Sequence, residues 1–164
     1  MDQRARFVDN YLPYLLMQAA YRMGAGFHRI LKDAGVRESE WRVLASLSHS
    51  DGMRMSELER HVLIEQSTLS RTIGRMEQKS LVLRKADPTD GRAQLLALSP
   101  EGQTVSDALI AAARAQEDAD LAHLAEDQRI LLANTLSSLF PALGFTDVEL
   151  DEDDTPFRMK VKVK

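Results

Sequence analysis

The sequence has no cysteine among its 164 residues. Disulfides, thiolate metal sites, cysteine nucleophiles and thiol-based redox sensing are therefore excluded. It also lacks any run of 18 or more apolar residues, so no membrane span is expected. The opening "MDQRARFVDN" carries no apolar stretch of the kind that leads a protein to secretion, and a soluble cytoplasmic protein is the expectation. No glycine-rich phosphate loop follows a strand. His28, His49, His61 and His123 show neither an H-x3-H spacing nor a carboxylate partner at ligand spacing, so no metal site is expected; Glu57, Glu59 and His61 read as exposed surface of one short helix. No Ser/His/Asp arrangement suggests itself, and no catalytic residue or cofactor is assigned. An enzyme is not expected.

What is present is ordinary apolar content and an uneven charge. The net charge is -4. Residues 64–85 nonetheless carry five Lys/Arg (Arg71, Arg75, Lys79, Arg84, Lys85) against two acids, whereas residues 100–154 carry two Lys/Arg against thirteen acids. A polyanion would be drawn to the first stretch and repelled by the second.

Helical periodicity runs through most of the chain. Leu12, Leu16, Ala19, Ala20, Met23, Phe27 and Ile30 mark a long first helix, with Asn10 a candidate cap, Pro13 in the first turn and Gly35 a stop signal. Gly24 and Gly26 either weaken its middle or admit the close approach of another chain. "SEWRVLASLSHSDGM" reads as a shorter helix capped by Ser39, and "MSELERHVL" as another capped by Ser56. A second long helix opens at Ser99 and Pro100. The last helix carries Ile130, Leu131, Leu136, Leu139 and Leu143. Residues 147–164 form a charged tail, read as solvated and partly disordered, although Met159, Val161 and Val163 alternate with lysines as an edge strand would.

The informative stretch is "VLIEQSTLSRTIGRMEQKSLVLRKADPTDGRAQLLAL". From about Gln66 to Lys79, Leu69, Ile73 and Met76 form a buried stripe. The opposite face is centred on Ser67, Arg71, Gly74 and Gln78, with Ser70 and Arg75 at its margins. Gly74 costs about 1 kcal/mol of helix stability relative to alanine, and a small residue there lets another surface come close. Hydroxyls near a helix N-terminus with arginines one and two turns on suit a helix lying in the DNA major groove. A polar surface helix of an all-helical protein would carry the same stripe. Two β-prone runs follow, separated by the turn residues Pro88, Asp90 and Gly91. Such a ribbon must lean on the helices, and Arg92 at its end could enter the minor groove, oriented by an adjacent Asp. A solvent-exposed hairpin with an incidental arginine is the alternative.

"MSELERHVLIEQSTLSRTIGRMEQKSLVLRKADPTDGRAQLLALSPEG" resembles the winged helix-turn-helix of MarR-type transcriptional regulators, and the likeness extends over nearly the whole chain. Asp90, Arg92, Leu98 and Gly102 stand in register with the family's wing signature. The resemblance implies a mainly α fold with a small β-wing: a winged helix-turn-helix module (36–99) flanked by a helical dimerisation region (9–34 and 100–143). It implies a homodimer reading double-stranded DNA at a pseudo-palindromic operator, as a small-molecule-responsive repressor. Carried over by position, Ser67, Thr68, Ser70, Arg71 and Arg75 fall on the recognition helix, Arg92 on the minor-groove arginine, and Asp90 on the acid that orients it. Regulators of this kind commonly take a small aromatic or phenolic effector. Tyr11, Tyr14, Met17, Tyr21, Arg22, Phe27, His28 and Trp41 are candidates to line its crevice, against the plainer reading as core or dimer contact. Leu63, Glu65 and Ser80 depart from the family's habit of Gly, a shorter cap and Gly, each a local cost of a few tenths to about 1 kcal/mol. A competing function is a winged-helix protein-interaction module without DNA binding, with the acidic C-terminal half as its partner surface.

Overall fold

The structure, a computed structural model, describes residues 6–90, 93–143, 148–150 and 159–161. Its elements are α1 (Phe7–Asn10), α2 (Leu12–Asp33), α3 (Glu38–Leu47), α4 (Met55–Val62), α5 (Gln66–Gln78), β1 (Val82–Ala86), β2 (Gln94–Leu98), α6 (Pro100–Asp120), α7 (Glu126–Leu143), β3 (Val148–Leu150) and β4 (Met159–Val161). The fold is mainly helical with a small β-wing, as expected. β1 and β2 pair antiparallel from Val82↔Leu98 to Ala86↔Gln94. β3 pairs antiparallel with β4, using Met159 and Val161 of the alternating tail; Val163 lies outside the described residues.

The core gathers Val43, Leu44 and Leu47 of α3, Leu58 and Val62 of α4, and Leu69, Ile73 and Met76 of α5, closed from the side by Val82, Leu96 and Leu109. Phe27 and Trp41 meet edge-on at 4.9 Å against this cluster. The long terminal helices are covered far less. Leu31 is the one buried residue of α2. Tyr11, Leu12, Leu15, Met17 and Tyr21 on that side, and Ile130, Leu131 and Leu132 on α7, are exposed.

Several helix starts differ from the sequence reading. Asn10 closes the short turn α1, and α2 begins after the extended Tyr11. Ser39 and Ser56 lie inside their helices, which start after Arg37 and Arg54. For α3 the reason is visible: the Glu40 carboxylate accepts the Arg37 backbone N–H at 3.1 Å, so the first turn is closed from within the helix. Ser99 does cap α6, accepting the Gly102 N–H. The close approach at Gly26 comes from within the chain, because a Cβ there would lie 2.6 Å from the Gln116 side chain of α6.

Helix ends follow their chemistry. Gly35, at φ 66, closes α2 with N–H bonds from Gly35 to Lys32 O and from Val36 to Leu31 O. α5 ends in the same double-bonded way, with Ser80 donating to Glu77 O and Leu81 to Met76 O, but Ser80 holds φ 57 without being glycine. Leu63 likewise holds φ 52 between α4 and α5. The two positions that depart from the family's glycines, Leu63 and Ser80, are thus left-handed, which is where a non-glycine residue carries its local cost.

Two joints set the module against the long helices. At the first, the Ser99 N–H donates to Leu81 O, the Ser99 hydroxyl donates to Ser80 O, and a Cβ on Gly102 would lie 1.9 Å from Leu81 O. At the second, His28 of α2 faces two acceptors, Gly24 O at 2.6 Å from Nδ1 and Glu38 Oε2 at 2.9 Å from Nε2. Both bonds need an N–H, so the imidazolium satisfies them together and the neutral ring satisfies one. Glu38 also accepts Arg42 at 2.6 Å. The bond to Glu38, then that to Gly24, raises the His28 pKa above its ordinary value. Burial pushes the Glu38 carboxyl up, but the bonds from His28 and Arg42 outweigh it and bring its pKa below the usual range.

Two outcomes are expected. Gly102→Ala drives a methyl into a backbone carbonyl and should destabilise by about 3 kcal/mol or more, read as a lowered denaturation midpoint. The His28 contribution is present below the unfolded histidine value, about pH 6.5, and is lost as pH rises through the raised folded value, while Glu38's is lost in acid. The stability gap between the parent and His28→Gln should therefore be widest at about pH 5.5–6.5 and shrink by pH 8.5. Melting curves across that range check it, and a gap that grows with pH contradicts the charged pairing.

Candidate nucleic-acid interface

The candidate interface is built on α5. Leu69, Thr72, Ile73 and Met76 are fully buried, which fixes the rotation of the helix and turns Ser67, Ser70, Arg71 and Gln78 to solvent. Thr68, Gly74 and Arg75 are half-buried at its edges. Glu65 is a working cap despite its length. Its carboxylate accepts the Ser67 N–H at 3.0 Å, the Thr68 N–H at 3.3 Å and the Ser67 hydroxyl. The Ser67 hydroxyl, then its N–H, brings the Glu65 pKa below its ordinary value. A carboxylate at this end also matches the sign of the helix dipole.

The two arginines of α5 are held differently. Arg71 lies along the first turn on the wet face, 3.2 Å from Thr68 Oγ1 and 3.4 Å from Ser67 O. Arg75 turns towards α3. It donates to Thr72 Oγ1 at 3.0 Å, and its Nε sits 3.9 Å from Glu40 Oε1, without a hydrogen bond. Glu40 is fully buried, and both its oxygens take Lys79 Nζ at 3.0 Å. Arg84 pairs with Glu77 at 2.7 Å. The basic surplus counted over residues 64–85 is therefore partly compensated, by an acid from α3 that a window along the chain does not contain.

The ribbon stands beside α5. Val82 is buried, and Leu83–Ala86 are exposed. Met53 adds a two-bond bridge to Leu96, with N–H···O distances of 2.9 and 2.8 Å. At the turn, Asp87 is 6% exposed, and its Oδ1 accepts the Thr89 N–H at 2.8 Å and the Thr89 hydroxyl at 2.6 Å. Arg54, just ahead of α4, gives Nε and Nη2 to Asp87 Oδ2 at 2.8 and 2.5 Å. The Thr89 bonds first, then Arg54, hold the Asp87 carboxyl far below the usual carboxylate range. Asp90 is exposed, 3.8 Å from Arg54 Nη2, and its carbonyl accepts the Ala93 N–H. Gly91 and Arg92 lie outside the described residues.

The structure thus brings Ser67, Thr68, Ser70 and Arg71 together on one turn and a half of helix, sets Arg75 at its inner margin and puts Asp90 on the neighbouring ribbon. Sequence reasoning missed Glu40, Arg54 and the central place of Asp87. The run Asp87-Pro88-Thr89 was a usable signal, since Asp commonly bonds the backbone two residues on. Glu40 and Arg54 had none, because their partners lie 39 and 33 residues away. Of the effector-lining candidates, Phe27 and Trp41 pack on the core, Tyr11, Met17 and Tyr21 are exposed, and His28 belongs to the α2–α3 joint. Among the described residues, no group of three or more His, Cys, Asp or Glu could hold a metal ion, and no helix is long and apolar enough to cross a membrane.

Comparison with known proteins gives one answer at three levels. A family model described as MarR family matches residues 36–93. A solved MarR family transcriptional regulator of Silicibacter pomeroyi superposes with a TM-score of 0.74 at 34% identity, covering 85% of this chain and 99% of that one. By sequence, the transcriptional activatory protein BadR of Rhodopseudomonas palustris is 29% identical over 61% of this chain. The homoprotocatechuate degradative operon repressor of Escherichia coli is 31% identical over 57% of it. The chain spans 59% and 64% of the lengths of those two relatives. NadR, solved in complex with 4-hydroxyphenylacetate, has a TM-score of 0.71 at 23% identity, covering 85% of this chain and 97% of its own, a likeness of fold.

Proposed function

Because the chain belongs to the MarR family, whose members compared above are transcriptional regulators and not enzymes, we propose that it is a sequence-specific DNA-binding repressor. In this reading it acts as a homodimer on a pseudo-palindromic operator and is released by a small aromatic or phenolic effector. The observation that carries the reading is the face of α5. Its apolar stripe is fully buried, its Ser67, Ser70 and Arg71 are exposed, and a braced ribbon stands beside it.

In this reading Ser67, Thr68 and Ser70 bond bases or phosphates, Arg71 grips a base edge, Arg75 reaches a phosphate after leaving Glu40, and Arg92 enters the minor groove with Asp90 as its orienter. The sign of regulation follows the E. coli relative, which is named a repressor, and a reporter fusion to the operator separates this from the activation in BadR's name. The effector class follows the 4-hydroxyphenylacetate bound by NadR. The dimer is supported by the exposed apolar residues of α2 and α7, which a second copy of residues 9–34 and 100–143 would cover.

Sedimentation at micromolar concentration should accordingly give a dimer; a stable, well-folded monomer contradicts it. Arg71→Ala should lose about 1–3 kcal/mol per half-site and relax preference at one base position, with an unchanged melting curve. Equal weakening on every sequence reassigns Arg71 to a phosphate. Arg92→Ala should weaken operator binding and reduce the advantage of A·T-rich flanks, with Arg92→Lys restoring part of it. A gel shift with a salt titration reads all of these, and a salt-independent or absent shift favours the protein-interaction module instead.

A further inference from the structure

A two-stranded ribbon has too little of its own packing to hold a direction in water. Here β1 buries Val82 and leaves its next four residues exposed, so the outer half of the ribbon rests on little apolar contact. The tip is four to five residues from the base, roughly 15 Å at strand rise. A swing of about 10° at the base would carry the tip ~3 Å, half the width of a minor groove of about 6 Å. Something must fix that angle if the wing is to find its groove.

The segment ahead of α4 touches the ribbon at two successive residues. Met53 bonds Leu96 through the backbone and pins the middle of β2. Arg54 reaches past it to the turn, closing on Asp87 Oδ2 with two nitrogens and standing 3.8 Å from Asp90 Oδ2. Asp87 in turn holds Thr89 through its other oxygen. A hinge at Met53 and a tie at Arg54 together remove the swing. The choice of residue supports this. Arg54 occupies the N-cap of α4 and makes no capping bond there. Serine, threonine or aspartate would cap that helix. Arginine forgoes the cap and spans to the ribbon instead.

We infer that Arg54 is a positioning residue for the wing, fixing the Asp87–Asp90 turn against the N-terminus of α4 and so setting where the ribbon's tip lies relative to the recognition helix. Its guanidinium is used inside the protein and is not counted among the phosphate contacts. The inference rests on the reading of the ribbon as a DNA-contacting wing.

The test compares Arg54→Ser, Arg54→Gln, Arg92→Ala and the double variant Arg54→Ser/Arg92→Ala in the full chain. Affinity is measured on the operator with A·T-rich and with G·C-rich flanks, at several salt concentrations, beside melting curves. Arg54→Ser is the decisive variant, because serine supplies the missing cap and guards the fold while removing the tie. Its melting temperature should lie close to the parent's, the new cap offsetting part of the lost Arg54–Asp87 pair, while it binds about 10-fold more weakly, loses the A·T-flank advantage and keeps the parent's salt slope. Adding Arg92→Ala to it should cost little more, since a mispositioned arginine has already been lost. Arg54→Gln, which removes the tie and adds no cap, should show the same binding defect with a lower melting temperature than Arg54→Ser. Parent-like affinity and flank preference in Arg54→Ser overturn the inference. So does a salt slope reduced by about one unit, which makes Arg54 a phosphate contact. Fully additive losses in the double variant overturn it too. If Arg92→Ala alone binds like the parent, the wing reading has failed; if Arg92→Ala is defective and Arg54→Ser is not, the failure belongs to the tie.

Discussion

The burial of one stripe on α5 carries the architecture. Leu69, Ile73 and Met76 are fully inaccessible, and burying each contributes about 1.5–3 kcal/mol. That sum, several kcal/mol, is comparable with the net stability of a small domain. The helix cannot rotate without exposing the stripe, so the azimuth of Ser67, Ser70 and Arg71 is set by hydrophobic packing rather than by anything on the polar face. The floor of the packing is α3, whose Val43, Leu44 and Leu47 are equally buried. A charged tie then sits over this apolar one. Glu40, from the same helix, reaches Arg75 near the end of α5 and Lys79 at its C-cap. An acid with no exposure is tolerated because both oxygens meet an ammonium and one also takes a backbone N–H.

Much of this was legible in the sequence, and the unread part has a common cause. The stripe on α5, the Ser99 cap, the Gly35 stop and the hairpin follow from local periodicity or turn chemistry, which act over a few residues. The departures at Leu63 and Ser80 were legible as costs, and the structure gives the reason, since each sits where the backbone turns left-handed. The capping residues of α2, α3 and α4 were misread because Asn10, Ser39 and Ser56 are good caps in isolation, while the helices start where other bonds were available. Glu40 and Arg54 could not be read at all. Each is an unremarked charge in a polar segment until folding sets it beside a partner more than thirty residues away. The same holds for the electrostatics: the basic surplus is a property of a window, whereas Glu40 offsets part of it from outside that window.

The arrangement divides labour between rigid and titratable contacts. The module itself is closed by aliphatic side chains and by carboxylates held well ionised, such as Asp87. Its attachment to α2 combines the packing of Phe27, Ile30 and Leu31 with His28, whose bonds to Glu38 and Gly24 raise its pKa above the ordinary histidine value. Acid strengthens that attachment until Glu38 begins to protonate, and alkali weakens it, while Asp87 and its tie remain unaffected over the same interval.

The Ser80–Ser99 joint makes α5 and α6 parts of one mechanical body. Just after α5, Ser80 O and Leu81 O accept the hydroxyl and the N–H of Ser99, the cap of α6, and the close approach at Gly102 leaves no slack. α6 has 21 residues and is therefore about 31 Å long. Such an arm works as a gear: a rotation of ~5° about the joint shifts its far end by ~3 Å, and a displacement imposed at the far end returns to α5 as that rotation. In the proposed dimer, were it joined through the distal ends of such arms, the spacing of the two α5 helices would measure the angle between the arms.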